Sequence, residues 1–188
     1  AGATGLDAAD AICQTKAQAA NLPEPQAFVA WLSDRDNDAY CRLLGLGGKR
    51  ADICGSNAVL PEAGPWVRTD GLPFADSLSA LVSGRVLSPL LLNEFGQRIA
   101  FAYESFTATN QDGTGAIEGS DSDCEQWTSG TLDLQNVTFA LLGYNTGTTQ
   151  AWTESKTGAS CNGTRRLMCM QRGSSAPLPP RSAKGRKQ

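Results

Sequence analysis

Gly5-Leu6-Asp7-Ala8-Ala9-Asp10-Ala11-Ile12-Cys13-Gln14-Thr15-Lys16-Ala17-Gln18-Ala19-Ala20 reads as an amphipathic helix running from Leu6 to Ala20. Ala9, Ile12, Cys13, Ala17 and Ala20 share one stripe at helical spacing, Asp7 stands where an N-terminal cap is wanted, and Asn21 with Pro23 ends the run. Cys13 therefore faces the core, where a cysteine on a central strand can meet it. Two strand patterns supply such a core. Gln26 to Leu32 alternates, with Phe28, Ala30 and Leu32 on one face and Trp31 on the other. Arg166 to Gln171 carries Leu167 and Cys169 on one face and Met168 and Met170 on the opposite one.

Between these ends the chain reads as short elements. Ser33 to Asp38 is a polar turn leading into a short helix, and Arg42 to Pro65 is a Gly-rich loop. Trp66 to Thr69 is a short strand ended by Asp70-Gly71, and Asp76 to Val82 a short helix stopped by Gly84. Val86 to Leu92 and Arg98 to Tyr103 read as strands around a turn at Asn93-Glu94-Phe95-Gly96, and Thr138 to Leu142 as a small strand or turn. Thr109 to Asp123 is a long polar loop. The sum is an α+β chain of short helices, an irregular mixed sheet and long loops, organised as one domain over residues 1–172. From Gly173 to Gln188 the composition turns to Gly, Ser, Pro and basic residues and predicts a disordered tail.

Composition narrows the function classes. Hydrophobic residues make up 40% and charged residues 19%, ordinary for a globular domain, while Gly 20 and Pro 9 disfavour long helical bundles. Arg181, Lys184, Arg186 and Lys187 lie in the last eight positions, which leaves twelve basic residues against nineteen acidic ones in the body. Such a body is a poor binder of nucleic acid or other polyanions, and the basic end reads as a linker, with contact to an anionic surface as the sharper alternative. The longest apolar run, around Leu90 to Leu92, is broken by Pro89 and Asn93 and falls far short of a membrane span. No charged-then-apolar leader opens the chain, which predicts that one has been removed or that the sequence begins inside a longer protein.

Cys13, Cys41, Cys54, Cys124, Cys161 and Cys169 are even in number and scattered, and the chain contains no histidine. That pattern argues against structural zinc and for disulfides, hence for an extracytoplasmic location: secreted, periplasmic or at a cell surface. Cys41 and Cys54 enclose Gly45-Leu46-Gly47-Gly48 and pair as a local clip. The other pairings stay open on composition alone.

Four segments carry a resemblance over roughly Gly5 to Gln171. They are the helix from Gly5 to Cys13, Ala27-Phe28-Val29-Ala30-Trp31-Leu32-Ser33-Asp34, the pair Trp66-Val67-Arg68-Thr69-Asp70-Gly71 and Leu81-Val82-Ser83-Gly84, and Cys124-Glu125-Gln126-Trp127 with Cys161 and Leu167-Met168-Cys169. In order and spacing these resemble the endostatin domain of collagens, a C-type-lectin-like fold. They resemble more closely still an uncharacterised family of bacterial secreted and lipoprotein domains with that architecture. The resemblance implies bridges from Cys13 to Cys169 and from Cys124 to Cys161, leaving Cys41 to Cys54 as an added clip. It implies neither zinc, heparin binding nor the sugar-binding calcium site, because the histidines, the arginine patch and the proline triplets on which those depend are missing. The family's first strand normally precedes the glycine where this helix starts, and a domain lacking it has an unpaired edge beside its last strand.

Several residues stand out as candidate sites. Asn110-Gln111-Asp112-Gly113 presents amide and carboxylate groups, and with Trp152 as a stacking face it suits a glycan, against the plainer reading of a turn. Asp121, Asp123 and Glu125 alternate around Cys124, either as a solvated acidic loop or as oxygen ligands for calcium. Asp34, Asp36 and Asp38 alternate as well, but Ala39 stands where a calcium loop needs glycine, and helix capping accounts for them. Trp127 is expected to pack over the Cys124 disulfide, and Trp31 and Trp66 in the core. The triplets at Asn136 and Asn162 receive no role. Without histidine there is no Ser-His or Cys-His pair, and cysteines in bridges supply no thiolate, which leaves only carboxylate or lysine chemistry. The expected function is thus a non-catalytic module, without a cofactor, that binds a protein or glycan partner through its loop face. The alternative is a structural module of a larger surface protein with no ligand of its own.

Overall fold

The computed structural model describes residues 4–99, 103–116, 123–130, 139–155 and 158–178. It is a mixed α+β domain with small antiparallel sheets, short helices and three disulfides. Helix α1 (Gly5–Ala19) starts one residue earlier than its sequence pattern suggests, so Asp7 sits inside the first turn, near the positive end of the helix dipole, rather than at the cap. The chain turns at Asn21 (φ 52°) and continues into β1 (Phe28–Ala30). Across the chain, β1 pairs antiparallel with the last strand, β7 (Cys169–Gln171), matching Phe28 to Gln171 and Ala30 to Cys169.

Each face of this ribbon packs against its own cluster of apolar side chains. One face, with Ala30 and Leu32, packs on α1 through Ala9 and Cys13. The other, with Val29, Trp31, Met168 and Met170, packs on the main core of Trp66, Phe74, Leu78, Leu81 and Trp152. Ala9, Cys13 and Ala17 are the buried positions of α1, and their small side chains let the helix lie close to β1. Ile12 was expected on the same stripe but is 52% exposed, because so large a branched side chain does not fit that close approach.

The remaining elements frame this centre. Helix α2 (Ala39–Leu43) follows the polar turn, β2 (Trp66–Val67) pairs with β3 (Pro73–Ala75), and α3 (Leu78–Val82) is capped by the Ser77 hydroxyl accepting from Ala80 N–H. Strands β4 (Glu104–Phe106), β5 (Phe139–Tyr144) and β6 (Gly158–Ser160) form a three-stranded antiparallel sheet in that order. A parallel bridge between Ser105 and Arg166 ties this sheet to the chain entering β7. Of the strand expected over Val86 to Leu92 only a bridge from Leu92 to Arg98 is present, while Arg98 to Tyr103 passes through residues 100–102, outside the described residues.

The bridges are Cys13–Cys169, Cys41–Cys54 and Cys124–Cys161, and no cysteine is left as a thiol. Three disulfides fit an oxidising, extracytoplasmic environment. Among the described residues no helix is long and apolar enough to cross a membrane. The tail boundary expected at Gly173 lies further on. Gly173 N–H donates to Leu43 O, Ser175 N–H to Pro65 O and Ala176 N–H to Gln171 Oε1, so the folded part continues at least to Ala176. The basic residues from Arg181 onward lie outside the described residues.

Candidate functional site

The residues singled out from the sequence are spread through the structure and mostly spent on the fold. Trp152 is 1% exposed, with its ring 5.0 Å from Trp31 and edge-on to Phe74 at 5.4 Å, so it is core and offers no stacking face. Its segment is pressed inward against β5, where a Cβ on Gly143 would come within 2.1 Å of Trp152 O. Asn110 donates to Thr114 Oγ1 and Gly115 O, and Asp112 Oδ1 accepts from the backbone and hydroxyl of Thr114, which closes the loop as a turn.

Asp123 is buried, and its two carboxylate oxygens accept from Arg35 N–H at 2.9 Å and Gln126 N–H at 3.0 Å. Those bonds hold the left-handed turn Cys124–Trp127 beside the Cys124–Cys161 bridge. Glu125 is exposed, and Asp121 lies outside the described residues. Among the described residues no group of three or more His, Cys, Asp and Glu side chains is placed to hold a metal ion. Asp34 accepts from Asp36 and Asn37, whereas Asp38, at the cap position of α2, instead holds Lys49, Arg50 N–H and Gly115 N–H. The capping expectation for this trio is thus replaced by loop-to-loop bonding. Trp127 packs against the Cys124–Cys161 cluster and donates from Nε1 to Ser33 O at 2.9 Å.

The concave surface lies elsewhere. A groove of about 400 Å³ runs between α1 and the chain entering β7, within the size range of small-ligand sites. One wall is Ile12, Cys13 and Ala17 of α1, and the other is Leu90, Leu92 and Ile99. Met168, Cys169, Ser105 and Asn145 also line it. Asn145 is 5% exposed; its Oδ1 accepts from Tyr103 N–H at 2.6 Å, while its Nδ2 has no hydrogen-bond partner among the described residues.

The backbone of β7 adds a second feature. Trp31 N–H donates to Met168 O at 2.7 Å and Arg172 N–H to Ala27 O at 2.9 Å, so Phe28/Gln171 and Ala30/Cys169 are the pairs whose backbone groups point outward. On β1 these groups are occupied: Ala30 N–H donates to Asp10, Ala30 O accepts from Arg42, and Phe28 O accepts from Gln14. On β7, Gln171 O accepts from Trp66 Nε1 at 2.8 Å. The N–H and C=O of Cys169 and the N–H of Gln171 have no partner among the described residues.

No family model, curated protein or solved structure matches the chain. The site therefore rests on its own chemistry.

Cations border the groove. Lys16 pairs with Glu94 at 3.7 Å and Arg165 with Glu104 at 3.2 Å. Arg68 donates to Asp70 at 3.1 Å and to Pro89 O at 2.8 Å, which fixes the loop carrying Leu90. Arg166 lies over the Tyr103 ring at 4.4 Å and makes no ion pair among the described residues. The Arg68 hydrogen bond holds the Asp70 carboxyl below the usual range, against the opposing effect of burial. A carboxyl lowered in the folded state adds stability above its unfolded value, about 3.9, and loses it as pH falls through the lower folded one. The melting temperature is accordingly expected to drop more steeply below about pH 4 in the parent chain than in Asp70→Asn, measured by circular dichroism across that range.

Ile12, Asn145 and Arg166 were not anticipated as site residues. Ile12 carried the one usable signal: a large branched residue among alanines on a stripe otherwise packed closely. In a smaller polar cleft between the start of α1 and residues 34–37, Asp10 is bonded to Arg42 and Asp34 to Asn37.

Proposed function

We propose that the chain is a non-catalytic, extracytoplasmic binding module of the C-type-lectin-like fold, similar in plan to the endostatin-like bacterial secreted domains, and that its partner seats in the groove beside β7. The fold reading is supported by the pairing of strands from the two ends of the domain and by the bridges Cys13–Cys169 and Cys124–Cys161. The non-catalytic reading is supported by the absence of histidine and the use of all six cysteines in disulfides. One observation carries the binding reading: a largely apolar groove of about 400 Å³ between α1 and the chain entering β7. The loop face around Asn110 and Asp112 is the weaker seat, since its polar groups close their own turn and Trp152 is in the core.

The anionic apolar dye 8-anilinonaphthalene-1-sulfonate tests the seat. The native chain is expected to bind it at one saturable site. Ile12→Glu, which changes an exposed side chain and so leaves the melting temperature in place, is expected to weaken binding tenfold or more. Equal binding by the parent and Ile12→Glu, or no binding to the folded parent, would remove the groove as the site.

A further inference from the structure

We propose that residues 57–61 are a processing site, at which an extracytoplasmic endopeptidase whose pocket takes a small aliphatic side chain cuts the chain at Val59 and converts it to a two-piece form that keeps its fold. None of these residues lines the groove, and the site is independent of what seats there. Val59 is 96% exposed, the highest value among the exposed large hydrophobic side chains. The backbone around it also differs from that around the others. Ile12 stands in α1 and Phe139 in β5. The N–H groups of Phe95, Leu72 and Leu87 donate to Asn93 Oδ1, Asp70 Oδ1 and Phe74 O, and the carbonyl of Ile53 accepts from Ser56 N–H. From Asn57 to Pro61, by contrast, one hydrogen bond is made among the described residues, from Ala58 N–H to the Ser56 hydroxyl at 3.1 Å.

A peptidase takes its substrate as an extended strand held through the substrate's backbone, so a segment has to release its own backbone bonds before it can enter. This segment has almost none to release. Gly55 to Pro61 carries no charge, so entry into an apolar cleft desolvates none. Exposed loops of small and polar residues are where chains are nicked, and Val59 supplies the side chain that such a pocket reads. Both flanks are fastened. Upstream, Cys54 is bridged to Cys41. Downstream, the Glu62 carboxylate accepts from the N–H and the hydroxyl of Ser79, and the buried Ala63 accepts from Leu78 N–H. Hydrolysis adds water across the Val59–Leu60 amide, leaving a carboxylate on Val59 and an ammonium on Leu60. The pieces on either side stay joined by Cys13–Cys169 and by the pairing of β1 with β7, while Cys41–Cys54 closes within the first and Cys124–Cys161 within the second.

The test treats the full chain under native conditions with α-lytic protease, which takes small aliphatic side chains, and reads the products by mass spectrometry with and without reductant. The first cut between residues 4 and 176 is expected after Ala58 or Val59. The nicked chain is expected to remain one species until it is reduced and to keep the near-ultraviolet circular dichroism of the parent. Val59→Pro blocks both bonds beside position 59, and it suits the loop because Val59 N–H makes no hydrogen bond among the described residues and its φ is not positive. It is expected to be cut there tenfold or more slowly at an unchanged melting temperature. Val59→Asp leaves the backbone as it is and denies the pocket its aliphatic group, so it covers the case in which proline disturbs the loop; cleavage of the bond after position 59 is expected to slow by the same factor. A first cut elsewhere between residues 4 and 176, cutting of both variants at the parent's rate, or loss of the near-ultraviolet signal on nicking would overturn the proposal.

Discussion

Replacing Trp152 by alanine is expected to destabilise the domain by about 4 kcal/mol, because a buried tryptophan loses both its transfer free energy and its neighbours' contacts. The ring sits between Trp31 and Phe74 at 1% exposure, and the adjacent Thr153 hydroxyl accepts the Trp31 Nε1 hydrogen at 2.7 Å. Removing Trp152 therefore opens a cavity in the main core and loosens the segment that positions Thr153. Trp152→Phe is expected to cost far less, about 1 kcal/mol, since it keeps most of the ring volume and deletes an indole N–H that has no hydrogen-bond partner among the described residues. Urea unfolding of the three proteins under identical conditions measures both differences. A cost within about 0.5 kcal/mol for the alanine variant is what an exposed stacking residue would give, and would return Trp152 to the surface.

That burial also shows where sequence reading reached its limit. Long or strongly patterned segments were legible. The helix carrying Cys13, the alternating run at Phe28 to Leu32 and the Met168/Met170 face each follow from a period that packing preserves. Strands β3, β4 and β6 were not legible, since three residues are too few for a period to emerge. Trp152 stands in a run of Thr, Gln and Gly whose polarity suggested solvent, yet the backbone of that run folds back on β5 and places the ring inside. The groove was hidden for another reason. Ile12, Leu90, Asn145 and Arg166 come from four separate parts of the chain, so no local spacing links them, and only assembly brings them together.

The bridge between Cys13 and Cys169 is expected to be the costliest of the three to remove. Its ends are 156 residues apart in sequence, against 13 for Cys41–Cys54 and 37 for Cys124–Cys161. In the chain-entropy model a cross-link restricts the unfolded state more as its loop lengthens, giving about 5, 3 and 4 kcal/mol respectively. Native packing points the same way. Cys13 is buried between α1 and the ribbon, and its bridge fastens the helix to the strand that borders the groove. The paired variant Cys13→Ala with Cys169→Ala should therefore unfold at a markedly lower urea concentration than Cys41→Ala with Cys54→Ala. If the short clip proved the costlier, loop length would not be what governs stability here, and the loop containing Arg50 and Cys54 would be holding the core in place. If the long-bridge variant stayed folded but lost the dye, the disulfide's work would be to hold α1 against β7 as one side of the groove.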